Sequence, residues 1–185
     1  MHQQGFSLIE LLMGLTIVGI VLHLVSPALA QVTESNHREL AAQSLFSDIR
    51  NARTEAIARH QAVVIHAING DWGQGWRIIL DISGKGYKDS NNPLLVERQN
   101  ASGLPIVGNG PVRTSVKFSS LGEPQLGNGA FRAGTLHICA SREPVSQHQV
   151  VLAPSGRVSL RSIKAEQALC AEEKGFRAGN ERATL

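Results

Sequence analysis

Gly5-Phe6-Ser7-Leu8-Ile9-Glu10-Leu11-Leu12 decides the reading of this chain. A small residue and a Phe open a long apolar run, and a single carboxylate, Glu10, interrupts it five residues past the Gly. An acid in so apolar a setting costs roughly 2–4 kcal/mol unless something pairs with it, so its position is informative. From Phe6 to Leu29 the run is long enough, at about 1.5 Å per residue, to be expected to cross a bilayer. Within it Gly14 and Gly19 permit close approach of neighbouring helices, and His23 is expected near an interface. An ordinary secretory signal fits poorly. It would want a basic start and a small-x-small cleavage site after the apolar run.

These residues closely resemble a type IV prepilin processing site. The resemblance implies cleavage by a prepilin peptidase between Gly5 and Phe6, followed by N-methylation of Phe6. It also implies that the Glu10 carboxylate pairs with a terminal amine during assembly, and that Pro27 kinks the helix. The implied partners are that peptidase, the membrane, and other major and minor pilins or pseudopilins. The leader Met1-His2-Gln3-Gln4-Gly5 carries no Lys or Arg, so the positive-inside rule adds little about orientation. The expected location is the inner membrane, single-pass, with the C-terminal domain periplasmic before incorporation into a pilus or pseudopilus.

Behind the anchor about 150 residues remain, a usual size for one domain with its own core. Aromatic residues make up 4% of the chain and Gly is plentiful at 18, so the core must be mostly aliphatic and the strands short. The net charge of +3 is too small to argue for an anionic partner by itself. The expected divisions are a leader at 1–5, a transmembrane and filament-core helix at 6–30, a globular domain at 31–170, and a tail at 171–185. Charge and glycines in the tail point to mobility.

No Gly or Pro falls between Gln31 and Arg59, and Leu40, Leu45, Ile49, Ala52 and Ala56 form an apolar stripe. The helix is therefore expected to continue over 31–59, amphipathic, with Arg38, Glu39, Asp48, Arg50, Arg53, Glu55 and Arg59 mostly on its solvated side. Beyond His60 the period becomes strand-like. Strands are expected at 62–68, 76–82, 94–98, 115–119, 135–140, 149–153 and 157–161, with a turn at Asn69-Gly70-Asp71. A long helix followed by short antiparallel strands is an α+β architecture. With the processing motif it predicts the type IV pilin fold, in which a transmembrane half and an amphipathic half of one helix precede an antiparallel sheet domain.

Asp71-Trp72-Gly73-Gln74-Gly75-Trp76 looks like the W-x-x-G-W element of the GspH/FimT/FimU group of pilin-like proteins. Arg50-Asn51-Ala52-Arg53-Thr54-Glu55-Ala56, the strand leading to Cys139, and Ser155-Gly156-Arg157-Val158 are similar too. The resemblance spans about residues 5 to 170. Trp72 and Trp76 are expected as core or sheet-edge anchors, with Gly73 and Gly75 serving a tight hairpin between them.

Cys139 and Cys170 are the only cysteines. In an oxidising periplasm such a pair is most simply a disulfide. A metal site from His137, Cys139, His148 and Cys170 is the alternative, but the set lacks the close-spaced ligand pairs of zinc sites. No nucleophile elbow, phosphate-binding glycine loop or ligand cluster appears, so neither catalysis nor a cofactor is expected.

Three functions remain open: a minor pilin that starts a type IV pilus, a minor pseudopilin of type II secretion, and a FimT-like pilin that captures DNA for natural transformation. For the last, Gly156-Arg157-Val158-Ser159-Leu160-Arg161 resembles a basic G-R-x-R strand with Ser159 in place of the second Arg. Arg157 and Arg161 would then lie about 13 Å apart, against about 7 Å between successive phosphates. Arg113, Lys117, Arg132, Arg142 and Lys164 are further cations of unknown placement. Simple solvation of Arg157 and Arg161 is the competing reading.

Overall fold

The structure is a computed structural model that describes residues 8–100, 103–126, 129–141 and 143–171, the side chains of 24–28 excepted. Among the described residues a long helix, α1 (Leu8–Ala58), precedes ten strands. The chain divides into two compact units, Met1–His37 and Arg38–Leu185.

In the first unit the described apolar side chains are exposed, from Leu8 at 77% through Leu15 at 62% to Leu22 at 64%. Among the described residues, however, no helix is long and apolar enough to cross a membrane. Between Glu10 and His23 the apolar run Leu11–Leu22 spans about 18 Å of helix, against a hydrocarbon core of about 30 Å. This corrects the expected transmembrane half of the helix, and with it the single-pass inner-membrane location.

In the second unit α1 buries Ala42, Leu45, Ile49, Ala52 and Ala56, alternating steps of three and four that keep one face on the core. Leu40, expected in this stripe, is 59% exposed, and Ala42 takes the place. The helix stops at a Schellman-type cap. Gln61 N–H donates to Ala56 O (3.2 Å) and His60 N–H to Ile57 O (3.3 Å), with His60 left-handed at φ 50°.

The strands are β1 (Val63–Ile68), β2 (Asp71–Leu80), β3 (Leu94–Gln99), β4 (Ile106–Gly108), β5 (Ser115–Phe118), β6 (Pro124–Gln125), β7 (Gly134–Cys139), β8 (Val145–Leu152), β9 (Val158–Arg161) and β10 (Ala165–Glu166). They form two antiparallel sheets, one ordered β3-β2-β1-β5-β6, the other β10-β8-β7-β4 with β9 also on β8. Inner-face residues of both, among them Ile65, Ile78, Phe118, Leu136, Ile138 and Val150, share one core with α1.

The Trp72–Trp76 segment differs from its expected form. Asn69-Gly70 makes the two-residue turn, pairing Ile68 with Asp71, and both tryptophans lie inside the single strand β2. Gly75 is needed for another reason. It has φ +126°, and a Cβ there would stand 2.1 Å from the Arg98 carbonyl oxygen of β3. Both indoles are buried and satisfied. Trp72 Nε1 donates to Arg113 O (2.9 Å), and Trp76 Nε1 donates to Asp48 Oδ2 (2.9 Å). Asp48 is therefore not on the solvated face. It is 5% exposed and also receives Arg98 Nε at 2.9 Å, tying α1 to β2 and β3.

Candidate functional site

Gly5 and Phe6 lie outside the described residues. Glu10 stands exposed in the first described turn of α1. Pro27 falls within the helical span, but its side chain and the expected kink lie outside the described residues. Around Glu10, Leu8, Ile9, Leu11, Leu12 and Met13 are each more than half exposed. A helix apolar on all sides is built to be covered by something.

The second group of expected residues sits on the β8–β9 hairpin. Its turn is Pro154-Ser155-Gly156, closed by Gly156 N–H to Ala153 O and Ala153 N–H to Arg157 O, each 2.9 Å. Arg53 of α1 reaches over to fix it, donating through Nε to Gly122 O (2.9 Å) and through Nη2 to Ser155 O (3.4 Å). Gly156 has to be Gly, because a Cβ there would meet Gly122 O at 2.5 Å and Arg53 Nε at 2.9 Å. Arg157 thus belongs to the turn rather than to β9, while Arg161 ends β9 opposite Gln149. Both are exposed. The register, Val151 opposite Ser159 and Gln149 opposite Arg161, puts them on the face of this sheet turned away from Val150 and Leu152 of the core.

The other cations are dispersed. Lys117 Nζ pairs with the buried Asp81 at 2.7 Å, Arg132 Nη1 donates to Ser115 O, and Lys164 lies 3.7 Å from Glu143. Arg113 is exposed. Arg142 lies outside the described residues. No continuous basic stripe forms from this set among the described residues.

On the same outer face a cleft of about 260 Å³ is lined by Thr135, His137, Gln149, Val151, Arg161 and Glu166, with others. The segment from Ile163 to Cys170 crosses it as a strap. β10 within it pairs Ala165 with Ser146 and Glu166 with Val145, and Cys170 is bonded to Cys139 (S–S 1.99 Å). Val107 and Leu169 pack around that disulfide. With both sulfurs joined, no thiolate is left for a metal. Among the described residues no group of three or more His, Cys, Asp or Glu is placed to hold one. His137 lies under the strap and burial holds its imidazole below the ordinary 6.5.

Sequence reasoning missed Asp48, Arg53, Asp81 and Gln167. The first two are charged residues of a helix face that reads as solvated. A signal existed for Arg53, inside the family-like helix segment, and for Asp81, near the end of the strand that follows the family-like Trp72–Trp76 element.

A helix packed on antiparallel sheets behind an N-terminal processing motif defines a pilin-like subunit. A family model described as "Prokaryotic N-terminal methylation motif" matches residues 1–26, and one described as "Type II transport protein GspH" matches residues 41–156. The chain belongs to the GspH family. It therefore falls in the class of minor pilins and pseudopilins that serve type IV pilus or type II secretion assembly, proteins that are structural rather than catalytic. No curated protein matches it. The crystal structure of the type IV minor pilin FimU of Pseudomonas aeruginosa is similar, at 22% identity over 73% of this chain and 97% of that one, TM-score 0.54. The minor pseudopilin EPSH from the type II secretion system of Vibrio cholerae is similar at 17% identity, over 69% and 94% of the two chains, TM-score 0.51. At these identities the likeness concerns the fold alone.

Proposed function

We propose that this chain is a minor pilin that helps to start type IV pilus assembly. On this reading a prepilin peptidase cuts after Gly5, Phe6 carries the new amino terminus, and the subunit enters a filament through α1. The observation that carries it is the exposed, all-round apolar surface of α1 from Leu8 to Leu22, with Glu10 as its one acid. Equivalent helices of other pilin-like subunits are the covering such a surface fits, and their apolar packing supplies most of the assembly energy. A Glu10–amine pair inside that packing acts as a register device rather than as a source of stability. Likeness to FimU supports the pilus reading.

The matching GspH description favours a second reading, a minor pseudopilin of type II secretion. Sheared surface pili from a clean deletion strain, with complementation, separate the two. Loss of pili supports the pilus reading. Normal piliation with a secretion defect supports the other. DNA capture by the exposed Arg157 and Arg161 is a third reading. It predicts that Arg157→Ala weakens DNA binding and flattens its salt dependence. No change in either returns both residues to ordinary solvation.

A further inference from the structure

The strap over the second sheet is held by a hydrogen-bond chain with one consistent assignment of donors. Gln167 Nε2 lies 3.2 Å from His137 Nε2. An amide NH₂ only donates, so this ring nitrogen must accept and carry no proton. The ring proton is then on Nδ1, which donates to Ser146 Oγ at 3.1 Å. Ser146 in turn donates to His148 O (3.2 Å) and accepts from Gln149 Nε2 (2.7 Å). The Gln167 amide cannot simply turn over to help, because its Oε1 accepts Leu169 N–H at 3.3 Å. A second proton on His137 would set N–H against N–H in either orientation of that amide.

We propose that the strap Ile163–Cys170 is a pH-operated latch, closed on the outer face of the second sheet while His137 is neutral and loosened when His137 takes a second proton. The charged groups facing this imidazole are few. Arg161 of β9 and Glu166 of β10 line the same cleft, of opposite sign. His148 of β8 turns its Nδ1 to Ser162 Oγ at 3.0 Å, and Lys164 is directed to Glu143. β4 presents the uncharged Val107 opposite His137. The remaining ties are Gln167 N–H to Pro144 O (2.9 Å), Gln149 Nε2 to Ile163 O (2.7 Å) and the short β10 pairing. The disulfide keeps Cys170 in place, so opening is a swing about a fixed end. It uncovers the cleft floor and the edge of β8 at Val145 and Ser146.

The sign follows from the burial of His137, which favours the neutral ring when the strap is closed. Latch strength is whole above the ordinary His value of 6.5 and falls as the pH drops through it towards the closed-state value. Hydrogen exchange on the full chain in detergent, at several pH values between about 7.5 and 5, tests this. Protection factors of the 163–169 amides, corrected for intrinsic exchange, should fall by up to about tenfold per pH unit in the wild type. His137→Gln, which keeps one donor and one acceptor, should abolish that slope, whereas His148→Gln and His66→Gln should keep it. A ring titration guards against a variant that merely disorders the strap. Gln167→Leu removes the N–H that opposes a second ring proton, so the His137 titration should rise. PH-independent protection in the wild type, or an unchanged slope in His137→Gln, overturns the latch, as does a His137 titration unmoved by Gln167→Leu.

Discussion

Asp48 shows how one side chain joins helix to sheet. Its carboxylate is buried and takes two donors of very different worth. Arg98 is 58% exposed at its side chain, so that ion pair is largely screened and contributes little. Trp76 Nε1–H is buried, and losing its acceptor costs about 1–3 kcal/mol. Asp48→Ala should therefore destabilise the protein by about that amount, most of it through Trp76. Added to Trp76→Phe, the same change should cost less than the two single costs together, as a double-mutant cycle in urea would record. Gly75→Ala is a harsher test, because the new Cβ would stand 2.1 Å from the backbone oxygen of Arg98 at φ +126°. About 3 kcal/mol or more is expected, read as a lower urea midpoint with weakened β2–β3 pairing. Asp81 gives a pH signature. Burial alone would raise its pKa, but Lys117, Gly86 N–H and Asn92 outweigh that and hold it below the ordinary 3.8. A depressed carboxylate contributes stability above its unfolded value that is lost as pH falls through the folded one. Asp81→Asn should thus be less stable than wild type at pH 6, with the gap closing towards pH 2–3, checked by thermal melts across that range.

At the scale of elements, the disulfide, the strap and the Arg53 clamp do for the second sheet what Asp48 does for the first. The Cys139–Cys170 bond closes a separation of 31 residues, worth about 3–4 kcal/mol on the chain-entropy account. Cys139→Ser with Cys170→Ser should lower stability by about that much. It should also raise proteolysis within 163–171 before the β7–β8 pair opens, which limited digestion followed by mass analysis would detect. Legibility in the sequence followed element length. β1 announces itself through a β-branched run and β3, β5 and β7 through short apolar stretches between turn residues, and the break at His60 marks the change from helix to strand. β4, β6 and β10 hold two or three residues each and exist because a longer neighbour offers an edge, which no local pattern encodes. β2 was legible only from Trp76 onward, within the expected strand 76–82. Its first half, Asp71–Gly75, hid because its two glycines read as a turn. Asp48 was illegible because a charged residue on an amphipathic helix looks solvated until the partner that covers it is placed, and Arg53 was marked only by its place in the family-like helix segment.

Over the whole molecule the two units carry different physics. The unit from Arg38 onward satisfies its own apolar face, gathering α1 and both sheets around one core. The unit up to His37 leaves its described apolar side chains outward, Leu11 at 63%, Ile17 at 61% and Ile20 at 60% among them. Stability and assembly should therefore separate in mutants. Glu10→Ala lies outside the core of the second unit, so its urea midpoint should match wild type. If Glu10 sets register against a terminal amine, the variant should still be cleaved after Gly5 yet be depleted from sheared filaments by about tenfold or more, the share that a lost charged hydrogen bond of about 1.5–3 kcal/mol implies. Gly5→Ala should instead stop at the uncleaved form. Immunoblots of whole cells and sheared fractions read all of these outcomes together. Glu10→Ala entering filaments at the wild-type level would remove the register role while leaving the apolar packing argument standing. An uncleaved Gly5→Ala chain entering them normally would remove the link between processing and assembly.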